Sequence, residues 1–480
     1  MERYNLVVIG GGAAGLTVAV GAAGLGARVA LVEAGAMGGE CLNTGCIPSK
    51  ALLRSAATAH VKAIAACGLP ELALKPDWGR VSGYVRQVIA AIAPQDSAER
   101  FQSLGVEVLL GRGHLASPTR VQVELNAGGR RALEARAVVI ATGSRPAIPP
   151  IPGLAEAGCL TNETVFNLPA LPGRLAILGG GAMGVELGQA FARLGARVTI
   201  LEARERLLPG EDGDVSAIVT GALLRDGVTV RAGVQVTSVA DGPHGKRIRL
   251  TATLGGAQDE LEVDAILVAA GRLPNLADLG LEQAGVACDE TGIVVDARQR
   301  SSAPSVYACG DVAGVHRFTH TANQQARVVV QNALFPVKAR MEYRAVPWCV
   351  FSDPEVARVG LNEQQAGAQG IAFRAIHVDL AQIDRAACDG TPEGFLKVLT
   401  PPGRDDILGA TWVGPRAGDL IHEIVLAMSR GLKLRHLAST VHAYPTLAEA
   451  VRRVGDDARK AAFTPGLRRW VRAYLRWQRG

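Results

Sequence analysis

The chain has 480 residues, 48% of them hydrophobic and 20% charged, with 57 glycines and a formal net charge of +6. That is too long for one ordinary core, so roughly two to four domains are expected, and the glycine content points to tight turns and close backbone approaches, as in a cofactor-handling α/β protein. Five arginines after residue 467 supply most of the net charge, so the near-neutral body excludes a spread-out nucleic-acid surface, and eight scattered cysteines exclude a disulfide-stapled secreted domain.

The first signal is a charge-free stretch of 22 residues, Leu6 to Ala27. Seven glycines within it, no preceding basic segment, and Arg28 and Glu33 directly after it argue against a signal peptide or membrane span. A soluble cytoplasmic enzyme is the simpler reading. Asn5 to Ile9 suits a buried parallel strand, GGGAAG follows, a small-residue helix runs to Gly26, and Arg28 to Val32 forms the next strand. Gly10, Gly12 and Gly15 would let the backbone approach a pyrophosphate at a helix N-terminus, and Glu33 would accept hydrogen bonds from a ribose.

Next comes GGECLNTGCIPSKALL, where Cys41 and Cys46 are separated by four residues and Pro48 stands in the first turn of an apolar helix. The helix dipole favours a thiolate at Cys46, which makes the pair easy to cycle between dithiol and disulfide. So short a loop has little value as a stabilising crosslink. A zinc site is unsupported, because no second Cys or His pair lies at ligand spacing. Cys67, Cys159, Cys288, Cys309, Cys349 and Cys388 look like isolated small hydrophobes, with a role for Cys309 left open.

The nucleotide-binding pattern then recurs. Leu175 to Leu178, GGGAMG, a helix to Leu194 and a strand from Arg197 to Leu201 repeat the first unit, and Gly184 to Glu202 matches Gly15 to Glu33 at 18 positions. Gly179, Gly181, Gly184 and Glu202 form the second site. Two such sites imply a permanently held flavin and a nicotinamide that comes and goes. Glu202 would repel a 2′-phosphate, although Arg204 and Arg206 could bind one, so NADH is favoured over NADPH. Gly113, Thr142 and Gly143 (in VVIATGSRP) and Gly271 (in LVAAGRLPN) are further expected cofactor contacts.

The expected fold is α/β: two dinucleotide-binding Rossmann-like domains plus a C-terminal α+β domain. The first domain is split between 1–150 and 271–345, the strand of SVYACGD returning to its sheet; the second covers 151–270 and the interface domain 346–465. A basic amphipathic tail, 466–480, places Leu467, Trp470, Val471 and Tyr474 on one helical face and arginines on the others. It could lie on an acidic membrane surface, but a helix packed on the body, or a solvated end, is preferred for so short a segment.

Taken together, GGECLNTGCIPSK, ATGS, GGGAMGVELG, YACGD and YPTLAE resemble the class I flavoprotein disulfide reductases over nearly the whole chain. The resemblance implies FAD, with Cys46 facing the flavin, Cys41 exchanging with substrate, Lys50 near the reactive flavin nitrogen and paired with Glu186, and Asp311 on the ribityl chain. It also implies a homodimer in which the YPTLAE segment of one subunit reaches the cysteines of the other. The expected substrate is a small disulfide, a lipoyl group or a lipoyl protein. One departure limits this. The family places a histidine before PT and a glutamate after it as the base for the substrate thiol; here Tyr444 takes the histidine's place, Glu449 is kept, and His442 lies two residues earlier. A phenol is a poor base at neutral pH. Alternatives are a mercuric-ion reductase, although no cysteine follows Cys388, a transhydrogenase or quinone-reducing flavoenzyme, and an electron-transfer component bound to a lipoyl or thiol partner protein.

Overall fold

Leu6, Val7, Val8 and Ile9 are buried, as are Val29 to Val32 and Val138 to Ile140. Such uninterrupted apolar runs suit parallel strands covered on both faces. In a computed structural model of the chain, which describes residues 2–60, 68, 74–253, 256, 258–314 and 316–480, these runs form the centre of one sheet. Cys67 lies outside the described residues.

The chain divides into two compact units. The first comprises Met1–His60, Leu74–Ala203 and Arg231–Glu342. Its largest sheet has six strands. Glu2–Ile9 lies between Val29–Glu33 and Arg130–Ile140, parallel to both. Val106–Ser117 adds to the outer edge of Val29–Glu33, and Arg120–Leu125 bridges antiparallel between Val106–Ser117 and Arg130–Ile140. Val306–Ala308, from the SVYACGD segment, pairs with Val138 to Ile140 and brings Asp311 back beside the first glycine-rich turn's sheet. Two apolar clusters cover the two faces, one including Val7, Ile9 and Val138, the other Leu6, Val8 and Val139, as the two-residue period of a strand requires.

A second parallel sheet in this unit contains Ala265–Val268, Arg174–Leu178 and Arg197–Glu202. An antiparallel meander, Val234–Gly242, Gly245–Ala252 and Gln258–Val263, shares its apolar cluster through Val239, Ile248 and Leu250.

The second unit contains Arg204–Val230 and Tyr343–Gly480. Its five-stranded antiparallel sheet runs in the order Pro347–Val350, Glu355–Gly360, Gly409–Gly414, Phe395–Thr400, Arg374–Asp379. Trp412 is fully buried among Ile376, Leu396 and helix residues Ile424, Met428 and Val451. Two buried cations are also housed here. Lys397 meets Asp214 at 2.8 Å and Asp212 at 2.9 Å, and Arg358 meets Glu211 at 3.0 Å with its guanidinium 3.9 Å from the Trp348 ring. Burial works against the Lys397 ammonium, but hydrogen bonds to Asp214 and Asp212 outweigh it and hold its pKa above the ordinary lysine value.

Candidate active site

The two glycine-rich turns are built alike. Gly10 and Gly179 both have φ of +112°, a region open to glycine at little cost. A Cβ on Gly10 would stand 2.3 Å from the Ala141 carbonyl oxygen, and one on Gly179 would stand 2.5 Å from that of Ala269. Each turn closes on itself: a Cβ on Gly15 would meet the Gly10 oxygen at 1.8 Å, and one on Gly184 the Gly179 oxygen at 1.9 Å. The helices Ala13–Gly24 and Ala182–Arg193 begin directly after Gly12 and Gly181. At Gly181 nothing lies within 4 Å of a Cβ position, and at Gly12 only the Gly39 Cα does, at 3.7 Å. Both turns therefore leave open backbone at a helix N-terminus, a cradle that fits a dinucleotide pyrophosphate.

The two acids repeat as well. Gly11 N–H donates to Glu33 Oε2 at 2.5 Å, and Gly180 N–H donates to Glu202 Oε2 at 2.6 Å. Each carboxylate thus ties the end of the second strand to the middle glycine of its turn. Thr142 and Asn275 exchange hydrogen bonds at 2.9 Å, beside Gly143 and the ladder that joins Ser144–Pro146 to Arg272–Pro274 just after Gly271. Gly113 sits differently. A Cβ there would stand 3.1 Å from the Val32 side chain, with Ile9 at 3.5 Å and Val121 at 3.6 Å.

The cysteine segment is clamped to the first turn. Gly38 N–H donates to the Gly11 carbonyl at 3.0 Å, and a Cβ on Gly39 would stand 2.6 Å from the Gly12 Cα. Cys41 lies on the short helix Gly39–Asn43, and Cys46 is the first residue of the helix Cys46–Ala59. The two sulfurs share one proton unequally. The Cys41 thiol donates to Cys46 and lowers its pKa; burial of the sulfur opposes this, Thr319 and the charge of Lys50 assist, and the balance lies at about 6. Cys41 is driven the other way, first by that hydrogen bond and then by burial. The Cys46 sulfur lies 3.7 Å from Thr319 Oγ1, on the first residue of the helix Thr319–Leu334. Cys309, by contrast, is fully buried and burial pushes its thiol up to about 12, which makes it a core residue.

One turn beyond Cys46, on the same helical face, Lys50 Nζ contacts Glu186 Oε2 at 2.8 Å. Glu186 is 5% exposed, on the helix that follows the second glycine-rich turn. Behind the cysteines lies a polar cluster with no signal in the spacing of the motifs. Glu40 is paired with Arg272 and accepts from Asn162 Nδ2 at 3.0 Å. Arg272 in turn approaches Asp311 Oδ2 at 3.7 Å, and Ser144 donates to the same oxygen at 2.5 Å. Burial lifts the Glu40 carboxyl to about 7; the Arg272 guanidinium opposes this, and the charges of Asp311 and Cys46 add to it. Glu40 could have been noticed in the sequence only as an acid adjoining a redox cysteine.

In the second unit, the Tyr444 hydroxyl donates to Asp384 Oδ2 at 2.8 Å, and this bond raises the phenol's pKa further from neutrality. Glu449 is nearly buried and accepts from Arg452 at 2.9 Å. These two expected site residues are thus each held by another side chain. His442 Nε2 lies 3.1 Å from both oxygens of Glu423. Tyr444 is 71% exposed and Val441 94% exposed. Among the described residues no cluster of histidine, cysteine and acid is arranged to hold a metal ion.

These features can be set beside known proteins. Residues 4–326 match the family model of pyridine nucleotide-disulphide oxidoreductases, and residues 346–454 match that family's dimerisation domain. A dihydrolipoyl dehydrogenase of Thermus scotoductus is 37% identical over 96% of this chain and 99% of its own. A mercuric reductase of Streptomyces lividans is 35% identical over 94% and 95%. Among solved structures, the HOCl-induced flavoprotein disulfide reductase RclA of Escherichia coli, as its Cu(II) complex, superposes with a TM-score of 0.84 at 30% identity, covering 95% of this chain and 99% of that one. With two matching dinucleotide cradles, a thiol–thiolate pair between them in sequence, and family matches spanning both units, the chain belongs to the pyridine nucleotide-disulphide oxidoreductases, FAD-dependent enzymes that move electrons between NAD(P)H and a disulfide, and it carries that family's dimerisation domain.

Proposed function

We propose that the chain is a homodimeric, cytoplasmic NADH-dependent reductase of a small disulfide or lipoyl group. Gly10, Gly12, Gly15, Glu33 and Asp311 hold FAD, Gly179, Gly181, Gly184 and Glu202 hold NAD(H), and Cys41 and Cys46 form the dithiol that meets the substrate. FAD, when bound, supplies the two-electron relay between NADH and the cysteine pair. The observation that carries this reading is the placement of Cys46 at a helix N-terminus directly after the short helix that holds Cys41, with the Lys50–Glu186 pair one turn away.

The chemistry of the pair follows from that proton. In the dithiol, Cys46 is a thiolate and Cys41 keeps the hydrogen. Passing it to the Cys46 sulfur turns Cys41 into the attacking thiolate. Cys41 displaces one substrate thiolate, which takes up a proton, and forms a mixed disulfide. Cys46, giving that proton up to the first product, then attacks Cys41, closes the Cys41–Cys46 disulfide and releases the second thiolate, which solvent protonates, so that two electrons and the single proton of the pair have left the enzyme. Thr319 and Lys50 favour the anion on Cys46, while the charge of Glu186, which accepts from Lys50 at 2.8 Å, opposes it. Tyr444, tied to Asp384, is a weak acid–base partner for the leaving thiol, which supports slower turnover with lipoamide than a histidine in its place would give. The preference for NADH rests on the Glu202 carboxylate beside the second turn.

The test is anaerobic titration of the holoenzyme with NADH and NADPH, followed by lipoamide, glutathione disulfide or mercuric ion as oxidant. A long-wavelength thiolate–flavin band that a disulfide discharges, and that is reached at lower NADH than NADPH, is expected. Cys41→Ser should abolish turnover of disulfides while the flavin is still reduced. If that variant keeps full turnover, the acceptor takes its electrons elsewhere and the dithiol reading fails.

A further inference from the structure

The tail carries the observation that the oxidoreductase function does not use. Thr464 Oγ1 accepts from Leu467 N–H at 3.3 Å and Pro465 occupies the first turn, so the helix Pro465–Trp477 starts with a proper cap. None of its residues is buried. At about 100° per residue, Leu467, Trp470, Val471, Ala473, Tyr474, Leu475 and Trp477 fall on one arc roughly 200° wide, and Arg468, Arg469, Arg472 and Arg476 share the rest. Trp470 stacks on Tyr474 with centroids 5.8 Å apart, and Tyr474 meets Trp477 at 6.0 Å. Trp470 is 65% and Trp477 is 76% exposed. The alternative of a helix packed on its own subunit therefore does not describe this segment.

Exposed aromatics in a continuous strip are costly in water, and a helix of 13 residues is marginal there by itself. Both problems are removed if the strip enters the headgroup region of a bilayer, where Trp and Tyr are favoured, while the arginines meet anionic headgroups. A nucleic acid would use the arginines but leave the wider aromatic arc in water, so charge and apolarity together select a lipid surface. No described helix is long and apolar enough to cross a membrane, which leaves the in-plane geometry.

We infer that the C-terminal helix Pro465–Trp477 is an interfacial anchor that docks this enzyme, through Trp470, Tyr474 and Trp477, on anionic phospholipid surfaces. Each arginine near such a surface contributes about 1 kcal/mol, or about fivefold in partitioning. The experiment is co-sedimentation of the full-length holoenzyme with vesicles of phosphatidylcholine alone or mixed with phosphatidylglycerol, at low and high salt. Binding to the anionic vesicles, weakened by salt, is expected. The double variant Arg468→Gln/Arg472→Gln should weaken it about thirtyfold, Trp470→Ser/Trp477→Ser should abolish it, and both should keep the disulfide turnover of the unaltered enzyme. Equal binding to both vesicle types, or unchanged binding by the tryptophan variant, overturns the inference. So does a tryptophan variant that becomes monomeric without a change in vesicle binding, which would make the strip a contact with a second subunit, or a DNA duplex that binds the tail where vesicles do not.

Discussion

Replacing Thr319 by valine keeps the shape of the side chain and removes one hydroxyl, 3.7 Å from the Cys46 sulfur. In the structure the thiolate is favoured first by the Cys41 thiol, then by Thr319, then by the charge of Lys50, against burial. A hydrogen bond to a charged group is worth about 1.5–3 kcal/mol; at this sulfur–oxygen distance about 1 kcal/mol is the fair value, which corresponds to about 0.7 pH unit. Thr319→Val should therefore move the midpoint of Cys46 ionisation upward by about 0.5–1 pH unit, and Cys41→Ala, which removes the larger contribution, should move it further. The assay is the rate of iodoacetamide alkylation of the reduced enzyme against pH, read on the Cys46 peptide by mass spectrometry because Cys288 and Cys388 are exposed too. In the unaltered enzyme the midpoint should lie near 6, so that the rate is already close to its plateau at neutral pH. If both variants titrate where the unaltered enzyme does, the hydrogen-bond account of the thiolate is refuted and the charge of Lys50 and the helix N-terminus must be responsible.

Other consequences run in different directions. Glu40 and Cys46 repel as anions, so Glu40→Gln should lower the Cys46 midpoint, opposite to Thr319→Val, and turn a broadened two-step alkylation profile into a single step. Gly184→Ala puts a Cβ 1.9 Å from the Gly179 oxygen; the purified protein should stay yellow but be reduced by NADH at least tenfold more slowly, measured by stopped-flow absorbance, an effect of about 1.4 kcal/mol or more. Lys397→Met strands the buried Asp212 carboxylate, and a loss of about 3 kcal/mol in denaturant unfolding of the second unit is expected, toward the low end for a broken buried pair because Gln364 N–H still donates to Asp212. A neutral outcome there would mean that water reaches the cluster.

Much of this protein was legible from short-range pattern. Apolar runs of four or five residues followed by GGGAAG or GGGAMG specify strand, turn and helix locally, because the steric demand on Gly10 and Gly179 is made by neighbouring backbone, and the ends came out within a few residues, with Glu2–Ile9 longer than expected and the first helix ending at Gly24. The Cys41–Cys46 pair and its helix N-terminus were likewise local. What the sequence by itself could not determine are relations between distant segments. Nothing in the order of residues says that Glu40 pairs with Arg272, that Thr319 meets Cys46, or that Tyr444 is held by Asp384. The neighbours of Gly113 are likewise a tertiary matter, because Val32, Ile9 and Val121 arrive beside it only when three strands align. The tail's amphipathic pattern was plain from its periodicity, yet periodicity cannot tell a face turned to the core from one turned outward; only the tertiary structure, in which none of that helix is buried, decides it, since burial depends on where the rest of the chain goes.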